Sequence, residues 1–389
     1  MFKYLYMRIV HVIIANFYKE GYGYQENILP VKHKELGLET YVVTTNEQHP
    51  LGWHYINKDN IDVTCLKLNN SIFTKKRYLC SFANRTVGLF AYLESIKPDI
   101  IFLHGLQAID SLTVCRWCKK YPNVKLYVDQ HADYYNTPIT KFSTRMYYKF
   151  VYGYIAKKLS KYAIKFWGVT PWRVDYLQKV YGVKPEKTDL LVMGGDERLV
   201  DWENRTDIRS QIRSKYNIPD EAFLIVSGGK IDHAKNIHLL IDAVSNLKER
   251  NVYLLVFGSM TADMSNYCTP LFKDNINYIG WIDSKDVYPY FLAADLAVFP
   301  GTHSVLWEQA LACGIPGIFK DWDGGFNHID CGGNAMLLNE ITVFSLEHSI
   351  LTIVNDKELY NRMRMIAENK ARKEFSYIEI AKKSIGFEN

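Results

Sequence analysis

The stretch VSGGKIDHAKN, Val226 to Asn236, follows the apolar run Phe223, Leu224, Ile225 and precedes a helical pattern in which Ile237, Leu240, Ile241, Val244 and Leu247 share one face. A β-type run that stops in Gly228-Gly229 and turns into a helix is a strand–turn–helix unit. The glycines let the backbone approach a ligand closely. A helix start offers N–H groups and the positive end of a dipole. Lys230 and Lys235 add two ammonium groups, so the unit suits a diphosphate. Taken alone, a plain strand-to-helix turn with surface lysines explains it equally well. No G-x-x-x-x-G-K-[ST] loop is present, which argues against an ATPase.

Working outward, buried-strand runs alternate with helical patterns along the whole chain. In the first half the runs are 8–14, 40–44, 99–103, 124–129 and 165–170. In the second they are 223–227, 252–257, 277–281, 295–299 and 316–320. Alternation of this kind predicts an α/β protein of two doubly wound parallel-sheet (Rossmann-like) domains. The expected boundaries are 1–196, rejoined by a C-terminal helix at about 372–389, and 205–371, with a polar seam around 193–207. Ligands of open parallel sheets bind at the carboxyl ends of strands. Features at such positions are Tyr18 to Tyr24, His104-Gly105, His131 to Asp133, Gly228 to Lys230, Gly258, and Thr302 to Gln309. Two facing domains would bring these to one cleft.

The chain has 389 residues, 48% of them hydrophobic, and its 28 tyrosines help raise the aromatic share to 14%. The net charge of +5 hides an asymmetry. Residues 1–200 carry 28 Lys+Arg against 17 Asp+Glu, and the remainder 19 against 25. A basic first half points to an anionic partner. Between Tyr134 and Arg173 no acid occurs. There Lys141, Arg145, Lys149, Lys157, Lys158, Lys161 and Lys165 interleave with Phe142, Tyr147, Tyr148, Phe150, Tyr152, Tyr154 and Tyr162. That mixture suits an anionic membrane surface, through 134–173. Nucleic acid is not expected, because no recognisable binding module accompanies the patch. The seven cysteines are scattered, which fits thiols in a reducing cytosol. No run approaches the roughly 20 apolar residues of a membrane span, and the opening MFKYLYMRIVHVII lacks a cleavage site. The expected location is cytoplasmic, peripheral at the inner face of the cell membrane.

Three further constellations carry chemistry. After ADLAVF comes PGTHSVLWEQALACGIP, in which Thr302 or Ser304 would cap a helix and Glu308 and Gln309 lie one turn in. An acid there can hold ribose hydroxyls, or simply be a solvated first-turn residue. His131, in Gln130-His131-Ala132-Asp133, is placed to bond a sugar hydroxyl or to be an ordinary satisfied polar residue. Asp321-Trp322-Asp323 precedes Gly324-Gly325 and reads either as a metal-binding D-x-D or as a turn.

These residues together resemble the family 4 retaining glycosyltransferases, which have the GT-B fold. The phosphate motif of that family is similar to Gly228-Gly229-Lys230 through Lys235. YIGWIDSKDVYPYFLAADLAVFP resembles its base-contacting run, and ALACGIP followed by DWDGG its A-L-A-C-G-x-P and D-x-G-G elements. GYGYQE, with Gly21 and Gly23, resembles its amino-terminal glycine loop, and HAD its histidine loop. In one respect the chain departs: the E-x7-E signature is degenerate. Its second Glu falls on Gln309 beside Glu308, its first on Gly301, and His328 stands where many members carry Glu. Thr302, His303 or Ser304 would then take over the first acid's contact with the sugar.

The resemblance implies a hexosyltransferase-type enzyme moving a sugar from a nucleotide-diphosphate donor, UDP-linked, to a hydroxyl with retention of anomeric configuration. The setting it implies is bacterial surface polysaccharide or glycoconjugate synthesis, with a glycan or lipid-linked acceptor. Lys230, Lys235 and His131 would be catalytic. Gly21, Gly23, Gly228, Gly229, Gly258, Trp281, Ile282, Thr302, His303, Ser304, Glu308 and Gln309 would bind the donor. No cofactor and no metal are expected, since DWDGG matches the family's turn. Two alternatives stand beside this reading: a catalytically weak or inactive GT-B subunit, motivated by the lost Glu, and a GT-B epimerase.

Overall fold

The computed structural model describes residues 7–15, 18, 20–45, 52–69, 85–134 and 142–387. Residues 1–6 and Lys141, which entered the sequence expectations, lie outside them. The chain divides into two compact units, Met1–Val192 with Ala381–Asn389, and Met193–Ile380.

The first unit is built on an eight-stranded sheet. In chain order its strands are β1 (Arg8–Ile13), β2 (Glu39–Thr45), β3 (Trp53–Ile56) and β4 (Asp62–Leu66). A two-stranded ribbon of β5 (Leu68–Asn69) and β6 (Arg85–Thr86) intervenes, and β7 (Ile100–His104), β8 (Lys125–Gln130), β9 (Ala163–Gly168) and β10 (Thr188–Leu190) complete the sheet. The order is β10-β9-β8-β7-β1-β2-β4-β3, parallel throughout except for the β3–β4 pair. The central strands carry continuous Val, Ile, Leu and Phe because helices cover both faces. Every residue of β7 is buried.

The second unit has six strands, all parallel: β11 (Phe223–Gly228), β12 (Val252–Phe257), β13 (Ile276–Gly280), β14 (Leu296–Phe299), β15 (Gly317–Lys320) and β16 (Ala335–Leu338). Their order is β13-β12-β11-β14-β15-β16. The chain lays strands on one side of β11, then returns to lay the rest on the other. That reversal is the crevice-forming switch point of doubly wound sheets, here between the carboxyl ends of β11 and β14. In the first unit the equivalent point lies between β1 and β7. The predicted helix face is realised: Ile237, Leu240, Ile241 and Val244 of the helix Ile237–Ser245 are buried, with Leu247 just beyond. Each such side chain contributes about 1.5–3 kcal/mol on burial.

The boundaries differ from the expected ones for a local reason. Gly195 N–H donates to Phe375 O at 2.9 Å, and Tyr377 N–H to Gly195 O at 3.2 Å. A Cβ on Gly194 would stand 2.2 Å from Phe375 O. Residues 193–196 and 372–380 therefore lock together inside the second unit, and the first unit resumes at Ala381, within the helix Tyr377–Ser384.

Candidate functional site

The β11–β14 switch point is assembled by backbone-to-backbone contact. Gly229, at φ +115°, donates its N–H to Phe257 O at 3.1 Å. Gly258, at φ +122°, lies so close that a Cβ on it would stand 1.7 Å from Gly229 O. Asp232 accepts the N–H of Lys235 at 3.1 Å and closes the turn before the helix Ile237–Ser245. Across the switch point, Thr302 N–H donates to Ala234 O at 2.9 Å. Asn236 Nδ2 donates to Pro300 O at 3.1 Å. A Cβ on Gly301 would stand 2.3 Å from the backbone of Lys235. The loops after β11 and β14 thus touch with no room for a side chain between them.

Two lysines differ sharply in this setting. Lys235 Nζ donates to Thr302 O at 2.6 Å and His303 O at 3.2 Å. Burial brings its pKa down to about 8, with Asp232 pulling the other way. It is a poised ammonium whose partners are neutral carbonyls. Lys230 is 63% exposed and, among the described residues, reaches Asp232 at 3.4 Å. An exposed pair of that kind contributes little, so its ammonium is free to serve an anion.

Glu308 and Gln309 lie inward rather than as a solvated first turn. Glu308 is fully buried, and its Oε1 accepts from His303 Nε2 at 2.8 Å and His328 Nε2 at 3.3 Å. Burial works against its charge, yet His303 and then His328 outweigh it and hold the carboxyl well below the usual range. The His303 ring stacks on Phe326 at 4.5 Å. Gln309 Nε2 donates to Tyr288 at 3.3 Å. Glu308 Oε2, Gln309 Oε1, Ser304 Oγ and His328 Nδ1 are buried with no hydrogen-bond partner among the described residues. Each such atom costs about 1–3 kcal/mol, and three of them within one loop and helix start, with the fourth on the turn that faces Glu308, mark a place that a ligand or water can complete. Trp281, after β13, is 69% exposed, with Ile282 half-buried beside it. Asp321 accepts from Gly324 N–H at 3.0 Å, closing the DWDGG turn.

In the first unit, Gly21 (φ +86°) and Gly23 lie in the loop between β1 and the helix Gln25–Glu35. His131 follows β8, its Nε2 3.6 Å from Asp129 Oδ2 and its side chain 24% exposed. Burial opposes its charge, but Asp129 and then Glu26 outweigh that and raise its pKa. Asp133 is tied to Arg173 at 3.0 Å. Sequence reasoning placed His104 at the end of its strand but missed the line beneath: His33, His11 and His104 are all buried and joined in series to Asp129. The available signal was His11, the one ionisable side chain in the otherwise apolar run 9–14.

Residues 208–370 match a family model described as glycosyl transferases group 1. Mannosylfructose-phosphate synthase of Agrobacterium fabrum is 24% identical over 229 residues, 54% of this chain and 50% of that protein. The lipopolysaccharide core biosynthesis glycosyltransferase LpsE of Rhizobium meliloti is 26% identical over 155 residues, 39% of this chain and 45% of that protein. The chain therefore spans about half the length of the curated relatives it matches. Among solved structures, a glycosyltransferase from Rickettsia africae superposes with a TM-score of 0.69 at 17% identity, over 99% of this chain and 98% of that one. Anabaena HepE in complex with UDP-glucose gives 0.64 at 14% identity, over 98% and 99%. These likenesses show the fold, which is GT-B: two parallel-sheet, Rossmann-like α/β domains.

Proposed function

We propose that this chain is a glycosyltransferase that moves a sugar from a UDP-linked donor to a hydroxyl acceptor with retention. The observation that carries the reading is Lys235, an ammonium held by two carbonyls at the switch point of the second sheet, where Gly229, Gly258 and Gly301 clear the backbone. The bond from the anomeric carbon to the phosphate oxygen breaks, the acceptor oxygen bonds to that carbon, and the acceptor's proton passes to the departing phosphate. The demand is to stabilise charge on that phosphate, which Lys235, Lys230 and the start of the helix Ile237–Ser245 supply. No metal is needed for this, because the lysines provide the counter-charge. Trp281 and Ile282 flank the base. Gln309 Oε1 and Glu308 Oε2, buried without a partner among the described residues, are acceptors for ribose hydroxyls, and Thr302, His303 and Ser304 line the sugar. His131 holds the transferred sugar. That HepE was solved with UDP-glucose supports the choice of donor.

The test is a thermal-shift screen with UDP, UDP-sugars and other nucleotide sugars, followed by donor turnover with product analysis. A UDP-sugar at a hundredfold excess over its dissociation constant should stabilise the fold by about 2.7 kcal/mol. No stabilisation by any nucleotide sugar would sink the reading. A second reading, a non-catalytic sugar-nucleotide-binding subunit, is favoured by one observation: Gly301 leaves no room for the signature acid. Stabilisation without hydrolysis or transfer would select it.

The same reading extends to a membrane-bound acceptor at the inner face of the cell membrane. Arg145, Lys149, Lys157 and Lys161 are exposed along the helical stretch Phe142–Leu159 and the residues after it, with Phe150 62% and Tyr154 53% exposed among them. No helix among the described residues is long and apolar enough to cross a membrane, so attachment would be interfacial. Cosedimentation with phosphatidylserine vesicles should be strong at low salt and fall steeply as salt rises. It should vanish when those four residues become Glu. Equal binding by that variant would reject the extension.

A further inference from the structure

A line of imidazoles crosses the first unit beneath its own switch point. His33 Nδ1 lies 3.0 Å from His11 Nε2, His11 Nδ1 lies 2.9 Å from His104 Nε2, and His104 Nδ1 lies 2.8 Å from Asp129 Oδ2. At the far end, His33 Nε2 is 3.1 Å from Ala381 O and 2.9 Å from Ser384 Oγ, while Ser384 Oγ itself donates to Ala381 O at 2.8 Å. Asp129 also accepts the N–H of Gly105 at 2.9 Å. The rings of His11 and its two neighbours stack at 5.0 and 5.2 Å, and Phe102 packs against all three. All four ionisable groups are fully buried.

Four proton arrangements fill such a line: one with all three rings neutral, and three with one extra proton on His104, His11 or His33, of which the geometry favours His104, whose Nδ1 lies 2.8 Å from the carboxylate that balances the charge. The carboxylate can only accept, so His104 Nδ1 donates to it. If His104 is otherwise bare, His11 and His33 each donate through Nδ1 towards Asp129. His33 Nε2 then turns a lone pair towards Ala381 O, and the Ser384 hydroxyl must leave that carbonyl to serve the ring. If His104 carries both protons, the line runs the other way: His104 to His11, His11 to His33, and His33 Nε2–H to Ala381 O. Every acceptor then receives a donor, and the charge of Asp129 is matched inside the core. A buried carboxylate needs a partner charge; His131, part-exposed, stands 3.6 Å from the same oxygen, and the arrangement with both protons on His104 adds a fully buried partner at 2.8 Å. Burial holds His11 well below the usual range and His33 at about 3, so both remain neutral, as this arrangement requires.

We infer that His33, His11 and His104 form one directed hydrogen-bond chain, oriented by the carbonyl of Ala381, that holds one extra proton on His104, so that both its ring nitrogens are protonated, and fixes the carboxylate against which His131 lies. The three histidines are positioning residues for His131. Their purpose rests on the proposed role of His131 at the sugar, whereas their protonation does not. The other charged groups around this end of the line are Glu26, which acts on His131, and Arg173 with its partner Asp133.

The experiment is nitrogen-15 NMR of the histidine-labelled full chain near neutral pH, with no ligand added. His104 should show both ring nitrogens protonated, and His11 and His33 should be Nε2–H tautomers. A singly protonated His104 with Nδ1–H tautomers at His11 and His33 would overturn the proposal. In His33→Phe, His11 loses its acceptor and turns round, His104 gives up its extra proton, and Asp129 pulls harder on His131. The His131 titration should move upward, and kcat should drop about tenfold with the donor KM unchanged. A merely space-filling His33 would leave that titration where it was. Should His33→Phe not fold, Ser384→Ala decides: the proposed direction leaves all three tautomers unaltered, whereas the reverse direction needs that hydroxyl and would change them. Absence of sugar transfer by the unaltered chain would defeat the functional reading alone, since the NMR result uses no donor.

Discussion

Replacing Lys235 by Ala should lower kcat for sugar transfer by about 10²–10³, the usual consequence of removing one preorganised stabiliser of developing charge. The fold should survive. Lys235 is a buried ammonium whose pKa burial lowers to about 8, so its charge is a cost to the folded state. That cost is full below about pH 8 and fades as pH climbs towards the range in which the unfolded lysine deprotonates. Removing the ammonium forfeits two hydrogen bonds to the carbonyls of Thr302 and His303 but also removes the desolvation cost. The net change in stability should stay within about 1 kcal/mol. The same logic sets a pH dependence for the unaltered protein. A diphosphate favours the charged lysine, so UDP affinity should be flat below about pH 8 and fall as pH rises through it. Calorimetric titration of both proteins with UDP checks these claims. A Lys235→Ala chain with full turnover would remove the lysine from the mechanism.

Gly301→Glu should be strongly damaging, although it restores the acid of the E-x7-E pattern. The first atom of any side chain there would fall 2.3 Å from the backbone of Lys235. The loop would have to lift, parting Thr302 from Ala234 and releasing Lys235 from its carbonyls. A loss of about 3 kcal/mol or more is expected, at the upper end for overpacking, together with loss of UDP binding. Gly301→Ala should move in the same direction, because the clash begins at Cβ. Melting temperature and UDP affinity read both variants. A stable Gly301→Glu protein with raised turnover would show that the loop tolerates the acid after all.

The parts of the fold legible in the sequence were those where burial on both faces erases alternation. All ten expected runs, among them DIIFL, VYLLVF and DLAVF, are strands within a residue or two of their predicted ends. The missed strands lie at or near sheet edges. Trp53–Ile56 is mostly exposed, Ala335–Leu338 is half-buried throughout, and Thr188–Leu190 is three residues long. The glycines of the switch point were legible because backbone contact demands that residue type. Gly301 was read as a lost acid, whereas its own contacts show a position that excludes one. Glu308 was ambiguous for a different reason. A helix-start acid looks the same in sequence whether water or two histidines surround it, and His328 lies twenty residues away along the chain. The imidazole line was invisible because its members come from β1, β7 and the helix Gln25–Glu35, and only tertiary packing brings them into register.

The first unit takes its last side chains from residues 381–387, which leave the ribosome after the whole second unit has been made. At the usual rate of about 5–20 residues per second, that is a wait of roughly 10–40 s. During it, His33 faces neither Ala381 nor Ser384, Tyr127 lacks its 2.8 Å bond to Ile385 O, and Trp167 its 2.9 Å bond to Ser384 O. The half of the molecule synthesised first is therefore finished last. A nascent chain paused before Ala381 would leave the His33, Tyr127 and Trp167 side chains without these partners, and emergence of residues 381–385 would supply them.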